Sequence, residues 1–445
     1  MRLTTDLAGL AGLEARVGER LDARLSSDTT APVALALSGG GDSMALLLIA
    51  ARWARARGRP LLALTVDHRL NPESAAWTRF AAEAARSAGV SWRGLNWDDP
   101  KPTSGLTAAA RMARHRLIAE AAREAGARVV LFAHTADDIA EADWMRAGGT
   151  TLGRLREWSP SPVWPEGRGL MLLRPLLAER RAVLRDWLSD LGVCWIDDPA
   201  NADPRFGRSR ARLALAGSLT GEPDEPRPST PWSAPKSGVV QVGRDVDART
   251  LAAALVCAGG GFRPPRGDRL AALLQRLGDG EAFTATLAGA RLETAGDDVL
   301  IMREAGEMRR RPAQPLRLHP GRPAVWDGRF ELTAVDPGWT VAPALGRMAA
   351  LEPHDRALLN RRPAAARAAA PVLVRDDGAG PVLADDGVER RDLVPERLAL
   401  ALDETTHEDD LTRARWRNAV ERPIFTGMTF RPAAGIGAPD DRGPL

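Results

Sequence analysis

The sequence predicts an α/β fold: a parallel-sheet N-terminal domain followed by smaller mixed α/β C-terminal domains. Three observations carry this. Short apolar runs alternate with Ala/Arg-rich helical runs through roughly the first two hundred residues, the pattern of a parallel sheet covered on both faces. The apolar run Val33–Leu37 passes through Ser38-Gly39-Gly40-Gly41-Asp42-Ser43 straight into a helix-like segment. Polar clusters then stand at the ends of three separate strands, where ligands bind in such sheets.

Taken in order, Val33–Leu37, Leu61–Val66, Val90–Leu95 and Val129–Ala133 read as strands, because short Leu- and Val-rich runs bounded by turn residues suit a buried sheet. Met44–Arg57 and Glu73–Ala88 read as helices between them, and a further helix begins after Ser104-Gly105. This first domain spans 1–217. Residues 218–238 are rich in Pro and turn formers, cannot make a regular helix or central strand, and read as a linker or long surface loop. A small mixed α/β domain follows over 239–307, with a helix at Asp268–Leu277 and strands at Phe283–Leu287 and Val299–Met302. Arg309-Arg310-Arg311-Pro312 marks the passage to 308–445, where the alternation over Ala324–Leu332 suits a β-rich domain. Its end, 432–445, has the Gly/Pro/Ala-rich composition of a disordered tail.

The length of 445 residues accommodates two or three domains. Lys101 and Lys236 are the only lysines, so the basic chemistry is arginine chemistry, suited to bidentate phosphate contacts. The net charge of +3 is too small to argue for a nucleic-acid partner, and local clusters must do so. Cys194 and Cys257 are far apart and form no C-x-x-C, which argues against a disulfide framework and a cysteine-rich metal or iron–sulfur site; both read as buried thiols. The start lacks a signal-peptide core, and no run approaches the ~20 apolar residues of a membrane span. A cytoplasmic protein without a membrane partner is expected.

Strand, glycine turn and helix N-terminus together make an anion site. Glycines let the backbone come close to a ligand, and the first helical N–H groups point outward without intrahelical partners. The helix dipole favours negative charge there, so phosphate or pyrophosphate is the expected guest. Ser38 and Ser43 add hydroxyls, and Asp42 offers a carboxylate to a metal or to the helix start. The run lacks the Gly-Lys-Ser/Thr ending of a Walker loop and is not G-x-G-x-x-G. Asp67-His68 closes the second strand, either as a helix-capping turn or as a contact to a nucleotide. His134-Thr-Ala-Asp137-Asp138-Ile-Ala-Glu141 follows the fourth strand, and positions 134, 138 and 141 share a face if the helix begins early. Carboxylates beside a triphosphate call for a divalent cation, so Mg²⁺ on Asp138, with Asp42, is expected. The same acids would also serve as an N-cap and first turn. Arg111 and Arg114, three apart on a helix, form a phosphate grip or a solvated basic face. Arg205, Phe206, Arg208, Arg210 and Arg212 combine phosphate-binding cations with an aromatic able to stack on an unpaired base, against the alternative of a plain surface stripe.

In one order, Ser38–Ser43, Val66-Asp67-His68, Ser104-Gly105-Leu106 through Arg111 and Arg114, His134–Glu141, Arg174-Pro175-Leu176-Leu177 and Asp198–Arg212 resemble the bacterial tRNA(Ile)-lysidine synthases. These belong to the PP-loop superfamily of N-type ATP pyrophosphatases, whose fold is adenine nucleotide alpha-hydrolase-like. The resemblance is strong over residues 30–215 and rests on length and general character beyond. It implies a ligase that uses ATP to adenylate the C2 oxygen of the wobble cytidine in CAU-anticodon tRNA(Ile). L-Lysine then attacks C2, releasing AMP and switching the tRNA from methionine to isoleucine. It also implies ATP binding by Ser38, Gly39, Gly40, Gly41, Asp42, Ser43, Asp67, His68 and His134. Catalysis would fall to Asp42, Asp137, Asp138 and Glu141, Mg²⁺ binding to Asp138 and Asp42, and tRNA contact to Arg111, Arg114, Arg205, Phe206, Arg208, Arg210 and Arg212. The domain 308–445 would also contact tRNA. A homodimer stays open.

The sequence departs from the family pattern at Thr135 and Ile139, where His and Gln are usual, at Ala142 for Thr, at Asn71 for Arg and at Ser209 for Asn. A non-catalytic tRNA-binding relative is therefore an alternative, as is another PP-loop tRNA-modifying enzyme. A cytidine-thiolating enzyme would be expected to carry C-x-x-C, which is missing. Small-molecule amidating enzymes would not need the arginine-rich segment around Phe206.

Overall fold

The computed structural model describes residues 6–149, 153–198, 207–215, 229–234, 238–310, 314–384 and 388–411. Its first unit comprises α1 (Asp6–Asp22), β1 (Val33–Ala36), α2 (Gly41–Arg57), β2 (Leu61–Asp67), α3 (Ser74–Ser87), β3 (Ser91–Asn96), α4 (Leu106–Glu124), β4 (Val129–Leu131), α5 (Ala136–Ala147), β5 (Trp158–Pro160), β6 (Met171–Leu173), α6 (Arg181–Asp190) and α7 (Gly207–Ala214). The strands form one sheet in the order β3-β2-β1-β4-β6-β5. All neighbours run parallel except β5, which pairs antiparallel with β6. The α/β parallel-sheet expectation holds, and the four expected strands are β1 to β4.

Why α2 occupies the centre follows from its sequence. Met44, Leu46, Leu47, Ile49 and Trp53 are all buried, because the helix is apolar around most of its circumference. Such a helix has to be enclosed on all sides. It shares one core with β1, α1 and α6 through Leu35, Val17, Leu184 and Trp187. A second core on the other sheet face joins Ala34, Leu64, Ile118, Ala122 and Val130. The sheet order reverses between β2–β1 and β4, which opens a crevice at the C-terminal ends of β1 and β4.

Beyond residue 229 come β7 (Trp232–Ser233), β8 (Val240–Gly243), α8 (Ala248–Ala258), α9 (Gly267–Gly278), β9 (Thr284–Leu287), β10 (Ala290–Ala295), β11 (Asp298–Arg303) and α10 (Ala305–Arg310). They build a five-stranded antiparallel sheet, β7-β8-β11-β10-β9, with α8 and α9 against it. Next are β12 (Leu316–Arg317), β13 (Ala324–Trp326), β14 (Phe330–Ala334), β15 (Trp339–Pro343), α11 (Pro353–Asn360), α12 (Ala364–Arg367), β16 (Pro371–Arg375), β17 (Val382–Leu383), β18 (Val388–Asp392) and α13 (Val394–Ala401). Their strands make a four-stranded sheet, β12-β15-β16-β17, and a three-stranded sheet, β13-β14-β18. The single alternating run read at Ala324–Leu332 is a hairpin, turning at Asp327 (φ +50°) and Gly328 (φ +65°).

Two connections run against chain order. Val394, Leu398 and Leu402 of α13 and its C-cap pack into the core of the β8–β11 sheet, beside Leu251 and Leu255. The segment after α13 then returns to the first unit, where Leu411 joins its core. Arg168 pairs with Glu331 at 2.5 Å, and Trp164 Nε1 donates to the Gly328 carbonyl at 2.8 Å, fastening the third unit to the first. The expectation for the cysteines needs correction: Cys257 is buried, but Cys194 is exposed, because it lies in the extended stretch after α6 and not within a core element.

Candidate active site

The glycine loop ends β1 and starts α2 as the sequence implies. Gly39 has φ +86°, and a Cβ there would stand 2.6 Å from Ile196 Cδ1. Ile196 comes that close because its own N–H donates to the Gly39 carbonyl at 2.9 Å. A glycine is required on both counts. Inside the loop, Ser43 Oγ donates to the Gly40 carbonyl at 2.9 Å and accepts from the Ser38 N–H at 3.3 Å. The two serine hydroxyls are 3.1 Å apart. Gly40 is the N-cap and provides no side-chain cap, so the first turn of α2 keeps N–H groups for a ligand.

α5 begins at Ala136, too late for 134, 138 and 141 to share one helical face. His134 therefore precedes the helix, Thr135 is its N-cap, and Asp138 and Glu141 share the inner face. Thr135 stands where the family usually has His, and it holds Asp138 in place. Its N–H and Oγ1 both donate to Asp138 Oδ2 at 2.9 Å. Ile139 is buried.

At the centre stands a residue that sequence reasoning missed. Arg181, first residue of α6, sends Nε to Asp42 Oδ2 (3.1 Å) and one terminal nitrogen to Glu141 Oε1 (3.0 Å). The other terminal nitrogen is 3.5 Å from Asp138 Oδ2. Its backbone N–H donates to Asp137 Oδ2 at 2.8 Å. All four acids singled out from sequence thus meet at one arginine. Nothing local distinguishes Arg181 among so many arginines; only its position just past Arg174-Pro175-Leu176-Leu177 offers a signal.

Burial raises the Asp42 pKa, with Arg181 opposing and Asp138 adding to the rise. Asp138 is buried too, yet its charged neighbours, among them Arg181 and Arg208, and the Thr135 N–H hold it below the usual carboxylate range. Arg208 reaches Asp138 Oδ1 at 3.4 Å, and Arg212 Nε donates to Glu141 Oε1 at 2.7 Å. These two arginines of α7 turn inward to the acids, while Arg210 is exposed. Arg205 and Phe206 lie outside the described residues.

Around Asp138 the balance is strongly positive. Arg111, Arg114, Arg174 and Arg208 all act on this neighbourhood, and burial lowers Arg114 and Arg174 to about 10, still charged at neutral pH. Arg114 Nε is buried without a partner among the described residues. Arg174 Nε donates to His134 Nδ1 at 3.2 Å, so His134 is a neutral imidazole; burial takes its pKa to about 3. Asp67 closes a tight turn by accepting the Arg69 N–H at 2.7 Å. His68 stands edge-on to Trp97 with ring centroids 5.9 Å apart, and burial and the Arg114 charge lower its pKa. A cation-rich lining with an unpaired buried donor suits a polyanionic ligand.

For a metal, the donor set is hard oxygen. Asp42 Oδ1 and Glu141 Oε2 are buried carboxylate oxygens without partners among the described residues. No group of three or more His, Cys, Asp or Glu side chains among those residues forms a complete metal cage. Hard carboxylate oxygens are the donors that Mg²⁺ takes, one or two of them beside the oxygens of phosphates.

His115 is stacked on Phe132 with ring centroids 5.2 Å apart, and Phe132 in turn on His134 at 5.9 Å. Burial, with Arg114 and Arg111, lowers the His115 pKa from 6.5 to about 2. The unfolded chain therefore binds a proton that the folded chain refuses, and stability falls as pH drops from 6.5 towards 2. His115→Leu is expected to flatten this loss by about 1.4 kcal/mol per pH unit, read from urea midpoints across that range. Parallel curves for the two proteins would contradict it.

A glycine loop of this geometry at the switch point of a parallel sheet, facing a cation-lined crevice, defines a PP-loop nucleotide-binding protein. The model of the PP-loop domain matches residues 13–219. The tRNA(Ile)-lysidine synthase of Caulobacter vibrioides is 49% identical over 396 residues, covering 87% of this chain and 97% of that protein. The proteins of the same name from Hyphomonas neptunium and Mesorhizobium japonicum are 35% and 36% identical, covering 67% and 71% of this chain and 87% and 76% of theirs. The chain belongs to the tRNA(Ile)-lysidine synthase family. No helix among the described residues is long and apolar enough to cross a membrane.

Proposed function

We propose that this chain is a cytoplasmic ATP-dependent ligase that joins L-lysine to C2 of the wobble cytidine in CAU-anticodon tRNA(Ile). The observation that carries the reading is the meeting of the Ser38–Ser43 loop with Asp42, Asp138 and Glu141 around one cationic crevice. The cytidine carbonyl oxygen is a poor leaving group until it is adenylated. The oxygen attacks the α-phosphorus of ATP, and pyrophosphate leaves into the loop, where Ser38, Ser43 and the N-terminus of α2 receive its charge.

Asp42 through Oδ1 and Asp138 through Oδ1 would hold Mg²⁺, which when bound offsets charge on the departing pyrophosphate. Arg114, whose buried Nε has no partner among the described residues, would meet the phosphoryl group in transfer. The lysine ε-ammonium must lose a proton before it attacks C2. Glu141, whose buried Oε2 has no partner among the described residues, would orient that amine, with Asp137 one turn away. The amine nitrogen forms the new C–N bond as the C–O bond to AMP breaks. Arg210, together with Arg205 and Phe206, would contact the anticodon arm, and the units over 239–307 and 308–445 would grip the tRNA elsewhere. The reading requires one chain per site and is indifferent to a homodimer.

The test is incorporation of labelled lysine into unmodified CAU-anticodon tRNA(Ile) with Mg-ATP, with tRNA(Met) as control. Label in tRNA(Ile) alone, with AMP formed in step, is expected. Tight tRNA binding without label would support the non-catalytic alternative, and ATP cleavage without lysine transfer would discard this substrate.

A further inference from the structure

We propose that Arg181 is the positioning residue of this site: its guanidinium decides which oxygen of Asp42 and which of Glu141 faces the reacting groups. The inference rests on the lysidine-synthase reading above. Arg181 engages Asp42 through Oδ2 and Glu141 through Oε1, and in both carboxylates the opposite oxygen, Oδ1 or Oε2, is buried and unpartnered among the described residues. Folded interiors rarely leave a buried acceptor unpaired. Two such oxygens on acids that share one guanidinium are acceptors held open for what the bound substrates bring, Asp42 Oδ1 for the cation and Glu141 Oε2 for a donor.

The geometry explains why arginine fills the position. Asp42 lies on α2, whereas Asp138 and Glu141 lie on α5, so no local turn couples them. A planar fork reaches all three at 3.0–3.5 Å, which a single ammonium cannot do from the same backbone position. The fork is itself fixed, because the Arg181 N–H is bonded to Asp137 and the side chain is only 16% exposed. Arg212 takes the same Glu141 Oε1, leaving Oε2 open as well, but it is Arg181 that ties Glu141 to Asp42. Without Arg181, neighbouring acids would turn away from one another and their open oxygens would lose alignment.

The lysine-incorporation assay tests this with wild type, Arg181→Ala and Arg181→Lys. Arg181→Ala is expected to lower kcat by about 100-fold through misplacement of the acids, with the Kd for tRNA(Ile) changed by no more than about twofold. Added guanidinium ion, which fits the vacated fork, should restore about tenfold of that loss in a saturable way, while methylammonium should not. Wild-type turnover in Arg181→Ala, or a loss that guanidinium does not relieve, would overturn the proposal. Should Arg181→Ala fail to fold, Arg181→Lys decides, since it keeps the charge: a fall of about tenfold in kcat supports the proposal and unchanged kcat overturns it. A wild-type chain that incorporates no lysine overturns the functional reading and this inference with it, whereas an active wild type matched by active variants overturns this inference alone.

Discussion

Asp138→Asn is expected to lower lysine incorporation by on the order of 10³-fold while leaving tRNA binding largely intact. The carboxylate does three things that a carboxamide cannot do together. Its Oδ2 accepts both donors of Thr135, which sets the start of α5. Its charge faces Arg181 and Arg208, and an amide NH₂ turned towards either would set donor against donor. It is also the anion that the Arg111, Arg114 and Arg174 charges share. With that anion gone the crevice becomes more positive, so anionic ligands have no reason to leave. Binding and turnover should separate: filter binding of tRNA(Ile) holds within about twofold while single-turnover label falls to background. Near-normal turnover would remove Asp138 from the mechanism.

What the sequence makes legible follows a physical rule. The loop is readable because consecutive glycines between an apolar run and a helix have few other uses, and the acids are readable because Asp137, Asp138 and Glu141 lie at helical spacing after a strand. Arg181 is not readable. Its identity matters only through Asp42, Asp138 and Glu141, and in a chain whose basic residues are arginine apart from Lys101 and Lys236 it has no contrast. Thr135 and Ile139 show the converse. As departures from a pattern they suggest a loss, yet Thr135 supplies two donors to Asp138, and Ile139 faces the interior. The return of α13 into the core of the β8–β11 sheet is hidden for a different reason: local periodicity reports that a helix has an apolar face, and says nothing of which distant surface receives it.

The second large effect is on stability and lies far from the chemistry. Glu408→Ala is expected to destabilise the fold by about 3–5 kcal/mol, the cost of leaving a buried charge without its partner. Arg59 and Glu408 are 2% exposed each, and one guanidinium nitrogen of Arg59 donates to both Glu408 oxygens at 2.9 and 3.0 Å. The same arginine donates to the carbonyls of Ala31 and Ser26, and the Ser26 N–H donates back to Glu408 Oε2. Arg24 adds a bond to the Thr406 carbonyl at 2.9 Å. These bonds fasten the segment after α13 to the turn between α2 and β2, across 349 residues of sequence, and to the turn that precedes β1, across 382. The carbonyls keep their Arg59 donors in Glu408→Ala, so the loss reports the uncompensated guanidinium and the orphaned Ser26 N–H. Glu408→Gln retains an acceptor for Ser26 and should lose less. Urea midpoints of the three proteins would rank wild type above Glu408→Gln above Glu408→Ala, with kcat unchanged in conditions where each is folded. A Glu408→Ala protein within about 1 kcal/mol of wild type would mean that this segment is held by Leu411 and its apolar neighbours, and that the ion pair only sets where it docks.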